Sequence, residues 1–262
     1  MTENMEHDRR AATVVIVRDR PGGSAEILMM ERAATMAFAA GALVFPGGAL
    51  DEEDHLLGAR WGGVLDGEDA AARVAAIRET LEESGLGIGM VGAETGSGAA
   101  DPAALVAMRR GLASGAAFGA LLADHGLTLA LDALVPFARW HPGLREMPRR
   151  IYDTRFYLAR APEGQEASAD STENVRLLWS SADATIARCD AGQGRIIFPT
   201  RRNLERLAQF SDFAAMADHA ASIPVEKVRP WVEERDGAEH LCIPDHLGYP
   251  VTSELFEHVR RG

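Results

Sequence analysis

The stretch Val74–Gly89, VAAIRETLEESGLGIG, places three glutamates beside an arginine and shortly before a glycine. On an ideal helix its apolar residues Val74, Ile77 and Leu81 form one narrow stripe, as on the core-facing side of an amphipathic helix. At the same spacing Glu79, Glu82 and Glu83 fall on an arc nearly opposite that stripe. We therefore expect a helix that buries one face and gathers three carboxylates on the other.

The ends of this helix are also marked in the sequence. Glu68 or Asp69 can cap the first turn, and Gly85 follows the last periodic residue. A glycine at that position ends a helix in the left-handed conformation at little steric cost. The pattern predicts a helix over 69–84.

The three carboxylates allow two interpretations. Acidic runs on helices are commonly solvated faces. Alternatively, the like charges repel one another, and a bound divalent cation would reverse that repulsion. Oxygen-only ligands of this kind suit Mg²⁺ or Mn²⁺. The upstream segment FPGG at 45–48 and the adjacent Arg78 favour the cation site, because a glycine backbone can approach the acidic helix closely.

The rest of the chain predicts a mixture of strands and helices. Runs rich in β-branched and aromatic residues predict strands at 11–18, 25–32, 42–48, 133–140, 152–160 and 174–180, and a hairpin over 228–244 that turns at Asp236-Gly237. Helical patterns lie at 102–127, as two alanine-rich helices, and at 181–192, 199–210 and 211–222. This order lacks the strict alternation of a doubly wound sheet and is compatible with an α+β fold.

Length and charge bound the domain organisation and the partners. The 262 residues suit one elaborated domain, which we place at 11–262 after a flexible tail at 1–10, with insertions at about 55–68 and 94–130. The chain has 27 basic and 39 acidic residues, and its net charge of −12 argues against nucleic acid as a partner. No apolar run approaches the length of a membrane span. Neither partner is therefore expected.

Cysteine usage bears on the compartment and on metal chemistry. The two cysteines, Cys189 and Cys242, are far apart in the chain. This argues against a disulfide scaffold and against a cysteine zinc site. A reducing, cytoplasmic setting is the expectation.

Two segments, GGALDEED at 47–54 and RETLEESGL at 78–86, resemble the signature box of the Nudix hydrolases. Gly48 matches the first glycine of the family pattern. The second half is matched by Arg78, Glu79, Glu82, Glu83, Gly85 and Leu86. Asp54 stands where the pattern has its first glutamate, and Thr80 replaces an aliphatic residue. Asp54 and Arg78 lie 24 positions apart, so about 16 residues are inserted inside the box.

A box split by an insertion is a feature of one branch of that family, the long coenzyme A diphosphatases. Three further segments resemble this branch: ERAATMAFAAGALVFPGG at 31–48, ARWHPGLREMPRRIYDTRFYL at 138–158, and FPTRRNLERLAQF at 198–210. The resemblance implies a Nudix-type α/β/α sandwich with a mixed sheet. By analogy with that branch, the alanine-rich helices at 102–127 would form an added helical annex that shapes the acyl or pantetheine side of the site.

The resemblance also implies roles for individual residues. Glu82 and Glu83 would ligate Mg²⁺ or Mn²⁺, and Glu79 would be a further ligand or the base that orients water. Gly47 would offer its carbonyl, and Arg78 would hold the box carboxylates. For the carboxylate outside the box that completes such sites, Glu173 is the first candidate and Asp153 the second. An exposed strand-edge position for Glu173 is left open.

The activity implied is metal-dependent hydrolysis of the diphosphate of coenzyme A or acyl-coenzyme A. Two alternatives stay open: the same chemistry on ADP-ribose, NADH or a dinucleotide, and a Nudix-fold binding protein without turnover. A homodimer is also left open. Four arginines, Arg145, Arg149, Arg150 and Arg155, either meet substrate phosphates or pair with surplus acids. Trp140, Phe156 and Trp179 alternate within predicted strands, which favours core positions over stacking on an adenine.

Overall fold

The computed structural model describes residues 8–33, 41–141, 151–169 and 174–261. Its strands are β1 Asp8–Arg18, β2 Glu26–Arg32, β3 Leu43–Val44, β4 Gly47–Ala49, β5 Met90–Gly92, β6 Leu127–Leu129, β7 Val135–Trp140, β8 Ile151–Arg160, β9 Asn174–Ser180, β10 Lys227–Val228, β11 Trp231–Arg235, β12 Ala238–Cys242 and β13 Ser253–Leu255. Its α-helices are α1 Glu52–Trp61, α2 Gly67–Ser84, α3 Pro102–Ala113, α4 Phe118–Asp124, α5 Ala182–Asp190, α6 Phe198–Leu207, α7 Phe213–Ser222 and α8 Phe256–Arg261.

The main sheet is mixed and is centred on β1. Within the described ranges it has eight strands in the order β10-β7-β8-β1-β2-β3, with β4 also paired to β1 and β9 to β2. β1 runs parallel to β8 and antiparallel to β2 and β4. The predicted mixed sheet is therefore confirmed, as is the pairing of the first two strands.

Helices cover both faces of this sheet. Successive side chains of a strand point to opposite faces, and on β1 Val14 and Ile16 enter one core while Val15 and Val17 enter another. The first core contains apolar residues of α2, α3 and α4, and the second contains those of α5, α6 and α7. All four valines and isoleucines named here are fully buried. The α/β/α sandwich predicted from the sequence is confirmed.

The acidic helix α2 lies against the first core. Val74, Ile77 and Leu81 are fully buried, so the predicted core stripe is confirmed. Gly85 ends the helix with a positive φ of 74°, also as predicted. The predicted N-cap, Glu68 or Asp69, was wrong. Asp66 caps the helix, and its carboxylate accepts hydrogen bonds from the backbone N–H groups of Glu68 and Asp69. An aspartate before a glycine caps a helix as readily as one a turn later, so the sequence alone did not distinguish them.

The predicted insertion at 55–68 contains most of a helix that the sequence did not reveal. Helix α1 packs on α2, where its Leu57 is buried. A Cβ on Gly58 would lie 2.7 Å from the backbone nitrogen of Ala71, so the two helices meet at backbone contact distance. Such close helix packing needs a small residue at the crossing point. The acidic helix is therefore held between the sheet and α1.

The remaining elements agree with the sequence except where they are short. The hairpin β11–β12 turns at Asp236 and Gly237, both with positive φ, as predicted. The predicted tail over 1–10 is too long, because β1 begins at Asp8, which pairs with Ile151 of β8. Strands β5, β6, β10 and β13 and helix α8 were missed, since two to six residues give no readable periodicity.

Other sequence-based expectations have clear outcomes. Trp140 and Phe156 are buried in the second core, as predicted, and Trp179 is half-buried against the first. Cys189 and Cys242 are free thiols. Among the described residues there is no helix with the length and apolar character that a bilayer-spanning segment needs.

Candidate active site

Arg78 of α2 is the centre of a buried charge cluster. Its Nε and Nη2 donate to the two carboxylate oxygens of Asp54, at 3.1 and 2.8 Å. Asp54 is fully buried in the first turn of α1, where it also accepts the N–H of Asp51 at 2.8 Å. Nη2 of Arg78 further donates to the carbonyl of Ala49 at 3.1 Å. We call this pair of hydrogen bonds the fork between Asp54 and Arg78. It brings the two halves of the split motif into contact.

Two of the motif glutamates share one nitrogen of this guanidinium. Nη1 of Arg78 lies 2.8 Å from Oε1 of Glu79 and 3.1 Å from Oε1 of Glu82. Burial and, to a smaller extent, the charge of Glu82 outweigh the opposing effect of Arg78, so the pKa of Glu79 is raised to about 7. A single guanidinium therefore donates hydrogen bonds to three carboxylates, those of Asp54, Glu79 and Glu82, and negative charge is in excess around it.

Arg78 itself is firmly charged. Burial acts to lower its pKa, but the hydrogen bond with Asp54 and the charges of Glu79 and Asp54 outweigh burial and raise the pKa above its ordinary value. A guanidinium that stays protonated can orient several carboxylates at once, because its donors are fixed in one plane. Arg78 is thus a charged side chain in hydrogen-bond contact with Asp54, Glu79 and Glu82.

The glycine pair at 47–48 brings backbone to the glutamates. The N–H of Gly47 donates to Oε2 of Glu83 at 2.8 Å. Gly47 has a φ of 154°, and a Cβ there would lie 2.3 Å from the carbonyl oxygen of Ala12. A Cβ on Gly48 would lie 2.3 Å from the carboxyl carbon of Glu79. Both positions therefore require glycine, one for pairing with β1 and one for contact with α2.

The candidates outside the motif do not join this cluster among the described contacts. The two carboxylate oxygens of Asp153 on β8 accept hydrogen bonds from Nε and Nη2 of Arg139 at 2.8 and 2.7 Å. One of these oxygens also lies 2.6 Å from Nζ of Lys227, with which it forms an ion pair. Burial acts to raise the pKa of Asp153, but hydrogen bonds from these two cations lower it to about 2. Asp153 therefore has a structural pairing role. Glu173 lies outside the described residues.

Of the four arginines considered for substrate phosphates, only Arg155 lies within the described residues. Arg155 is 3.4 Å from a carboxylate oxygen of Asp69 in the first turn of α2. This contact is a pairing with one of the surplus acids, which is one of the two roles that the sequence left open for these arginines. The other three arginines, Arg145, Arg149 and Arg150, lie outside the described residues.

The donor set fits a hard divalent cation. Glu79, Glu82 and Glu83 offer only oxygen, and Glu79 and Glu82 already compete for one nitrogen of Arg78. In the part of the chain that the structure describes, however, no group of three His, Cys, Asp or Glu side chains is arranged so that it could hold a metal ion. Instead, Glu79 and Glu82 turn to Arg78, and Glu83 turns to the N–H of Gly47. A cation would replace these hydrogen bonds with ligand bonds.

One residue at the site was missed by sequence reasoning. Arg109 of α3 donates from Nε to the carbonyl of Glu82 at 2.8 Å and from Nη2 to the carbonyl of Glu83 at 3.0 Å. The separation in sequence is 26 and 27 residues, and no local pattern links an arginine in an alanine-rich helix to the end of another helix. Only the packing of α3 on α2 reveals the contact.

Comparison with known proteins gives a consistent family. No family model matches the chain. The chain is 27% identical over 316 residues to the acyl-coenzyme A diphosphatase NUDT19 of Gallus gallus, covering 95% of this chain and 82% of that protein. The human protein of the same name is 24% identical over 314 residues, covering 96% and 83%.

A solved structure makes the family assignment firm. The crystal structure of a Nudix hydrolase from Alicyclobacillus acidocaldarius superposes with a TM-score of 0.72 at 30% sequence identity, covering 82% of this chain and 97% of that one. With the reassembled motif around Arg78 and the α/β/α sandwich, this likeness shows that the chain belongs to the Nudix hydrolases, a family of enzymes that act on phosphorus anhydrides.

Proposed function

We propose that this protein hydrolyses the diphosphate linkage of coenzyme A or acyl-coenzyme A. The products would be 4′-phosphopantetheine, acylated or not, and adenosine 3′,5′-bisphosphate. The observation that carries the proposal is the fork between Asp54 and Arg78, with Glu79 and Glu82 on the same guanidinium. Support for the substrate comes from the similarity to acyl-coenzyme A diphosphatases, which extends over 95% of this chain.

The motif glutamates would hold the cofactor. Glu82, Glu83 and Glu79 would ligate Mg²⁺ or Mn²⁺, with the carbonyl of Gly47 and the carboxylate of Glu173 as further donors. When bound, such an ion neutralises charge that develops on phosphate oxygens and lowers the pKa of bound water. Arg78 would keep Glu79 and Glu82 turned to one side, because its Nη1 contacts both.

Glu79 would be either a ligand of the ion or the base that acts on water. As a ligand it would add to the negative charge that attracts the ion. As a base it would take one proton from the attacking water at a carboxylate oxygen, while the water oxygen forms a bond to one phosphorus. The bond from that phosphorus to the bridging oxygen breaks, and the bridging oxygen leaves with the second phosphate. Arg78 and Gly48 would hold the Glu79 carboxylate in place during this step.

A product assay tests the proposal directly. The purified protein is incubated with Mg²⁺ or Mn²⁺ and, separately, with coenzyme A, acetyl- and longer acyl-coenzyme A, ADP-ribose, NADH and diadenosine polyphosphates. Products are identified by mass spectrometry. We expect adenosine 3′,5′-bisphosphate to form fastest, from a coenzyme A species.

Two other outcomes would contradict parts of the proposal. AMP formed fastest from ADP-ribose or NADH would keep the diphosphatase chemistry and remove coenzyme A as the preferred substrate. No product from any compound, with metal present, would favour a binding protein of the same fold.

A further inference from the structure

The last turn of α2 is fully capped by groups from three parts of the chain. The four C-terminal carbonyls of a helix have no partner within the helix itself. Here the carbonyl of Leu81 accepts from Gly85 N–H, those of Glu82 and Glu83 accept from Arg109, and that of Ser84 accepts from Ser168 N–H. Two of these four bonds come from the single side chain of Arg109, and they are the two that reach the proposed ligand residues Glu82 and Glu83.

Arg109 uses three nitrogens for this purpose. Nε and Nη2 donate to the carbonyls of Glu82 and Glu83, and Nη1 donates to Oγ of Ser168 at 2.8 Å. A Cβ on Gly85 would lie 3.2 Å from Nη1 of Arg109, so the turn after α2 closes tightly on the guanidinium. A planar fork of this kind fixes direction as well as distance.

The helix that carries Arg109 is itself fixed against the same turn. Leu105, one turn earlier on α3, is buried, and a Cβ on Gly87 would lie 2.7 Å from its Cδ2. The N–H of Gly87 donates to Oε1 of Gln165 at 2.8 Å. The base of the Arg109 side chain is therefore anchored by packing, and its tip by three acceptors.

We propose that Arg109 is a positioning residue for Glu82 and Glu83, through which the annex helix α3 sets the metal affinity of the site. It acts on the backbone of the two residues and not on their carboxylates. This inference rests on the proposed function, in which those carboxylates ligate the ion.

A simple charge effect would have the opposite sign. Arg109 is a cation near an acidic site, so removing it should strengthen the binding of another cation if long-range electrostatics dominated. Removing a positioning contact should weaken binding, because the last turn of α2 and its carboxylates lose their fixed orientation. The direction of the change therefore distinguishes the two roles.

The experiment is a titration of Mn²⁺ alone, without substrate, in which electron paramagnetic resonance measures the free ion. Arg109→Ala is compared with wild type and with Arg110→Ala, which removes an exposed arginine from the same helix. We expect Arg109→Ala to weaken Mn²⁺ binding about tenfold and Arg110→Ala to leave it unchanged or slightly stronger. Unchanged or tighter binding in Arg109→Ala would overturn the inference.

A second variant and a wild-type control complete the test. Arg109→Lys keeps the charge but cannot donate to both carbonyls in one plane, so we expect Mn²⁺ binding between that of Arg109→Ala and wild type. If Arg109→Ala does not fold, wild-type affinity in Arg109→Lys would overturn the inference. Failure of the proposed function is seen separately, as wild-type protein that neither binds Mn²⁺ nor turns over any diphosphate.

Discussion

Asp54 holds Arg78 from 24 positions earlier in the chain, with its carboxylate oxygens 3.1 and 2.8 Å from Nε and Nη2. The residues between them form the rest of α1, a turn that ends at Asp66, and the first part of α2, which Asp66 caps. Because α1 packs back on α2, the insertion does not separate the two halves of the motif in space. Asp54, in the first turn of α1, thus supplies the carboxylate that contacts Arg78.

Removing Asp54 should destabilise the protein and impair the site. Asp54→Ala leaves a buried guanidinium without its bidentate partner, and breaking a buried pair in this way costs about 3 kcal/mol. Arg78 would turn further toward Glu79 and Glu82, so the turnover number should also fall. Urea unfolding of the two proteins measures the first effect.

The matched control is Asp51→Ala. The Asp51 carboxylate is 3.5 Å from the same Nη2 but its side chain is 70% exposed. We expect this variant to lose about 1 kcal/mol or less. Equal losses for the two aspartates would show that burial of the Asp54 fork is unimportant.

A methyl group at position 48 should damage the site more than the fold. Gly48→Ala would place a carbon 2.3 Å from the carboxyl carbon of Glu79, which must move away. Displacing a catalytic group by about 1 Å can lower a rate about 100-fold, and we expect a loss of that order. Gly67→Ala, at the start of the same helix with open space around its Cβ, is the control and should keep full activity. Wild-type turnover in Gly48→Ala would show that the contact with Glu79 is dispensable.

Glu79 should make the metal-free protein less stable as pH rises. Its pKa in the folded state is raised from 4.5 to about 7, chiefly by burial, so the folded state holds this proton more tightly than the unfolded chain does. The free energy of unfolding should therefore fall as pH rises from about 5 to about 7.5.

Glu79→Gln removes this loss. In chelator-treated protein we compare the free energy of unfolding of the variant with that of wild type. We expect the variant's advantage to be about 2 kcal/mol larger at pH 8 than at pH 5. That figure is discounted for a side chain that is 19% exposed. Glu52→Gln, in an exposed glutamate of α1, controls for the loss of one charge. Parallel pH profiles for Glu79→Gln and wild type would contradict the raised pKa.

The pairing of Arg206 with His219 should make the second core acid-sensitive. Nε of Arg206, a buried residue, donates to Nε2 of His219 at 3.0 Å, so that nitrogen carries no proton. Burial and the charge of Arg206 lower the pKa of His219. Stability that depends on neutral His219 is present above its ordinary pKa of 6.5 and is lost as pH falls.

His219→Gln tests this relationship, because a glutamine oxygen can accept the same hydrogen bond without binding a proton. We expect the melting temperature of wild type to fall further between pH 7.5 and pH 5 than that of the variant. His125→Gln, in an exposed histidine, should follow wild type. A variant with the full acid sensitivity of wild type would exclude His219 as its source.

The parts of the fold that the sequence predicted well are those set by local chemistry. Leu81 and its apolar neighbours on α2 repeat at helical spacing, Gly85 has a positive φ, and Asp236-Gly237 forms a two-residue hairpin turn. Each of these depends on residues within a few positions of one another. The amphipathic character and the end of α2, and the turn of the β11–β12 hairpin, could therefore be predicted.

The contacts that build the site depend on packing between distant elements. Nothing in the local sequence shows that Asp54 will reach Arg78, because that distance is set by the crossing of α1 and α2 at Gly58. Arg109 likewise meets the end of α2 only because Leu105 packs on Gly87. Asp153 looked available from its sequence position, and the structure pairs it with Arg139 and Lys227.

The central claim is that the glutamates around Arg78 carry out metal-dependent cleavage of a coenzyme A diphosphate. The most direct test is the rate at which adenosine 3′,5′-bisphosphate forms from coenzyme A in saturating Mg²⁺, in wild type, Glu83→Gln and the control Glu52→Gln. We predict product from wild type and Glu52→Gln, and a rate about 1,000-fold lower in Glu83→Gln, equivalent to about 4 kcal/mol of transition-state stabilisation. A folded Glu83→Gln protein that forms the product at the wild-type rate would contradict the account.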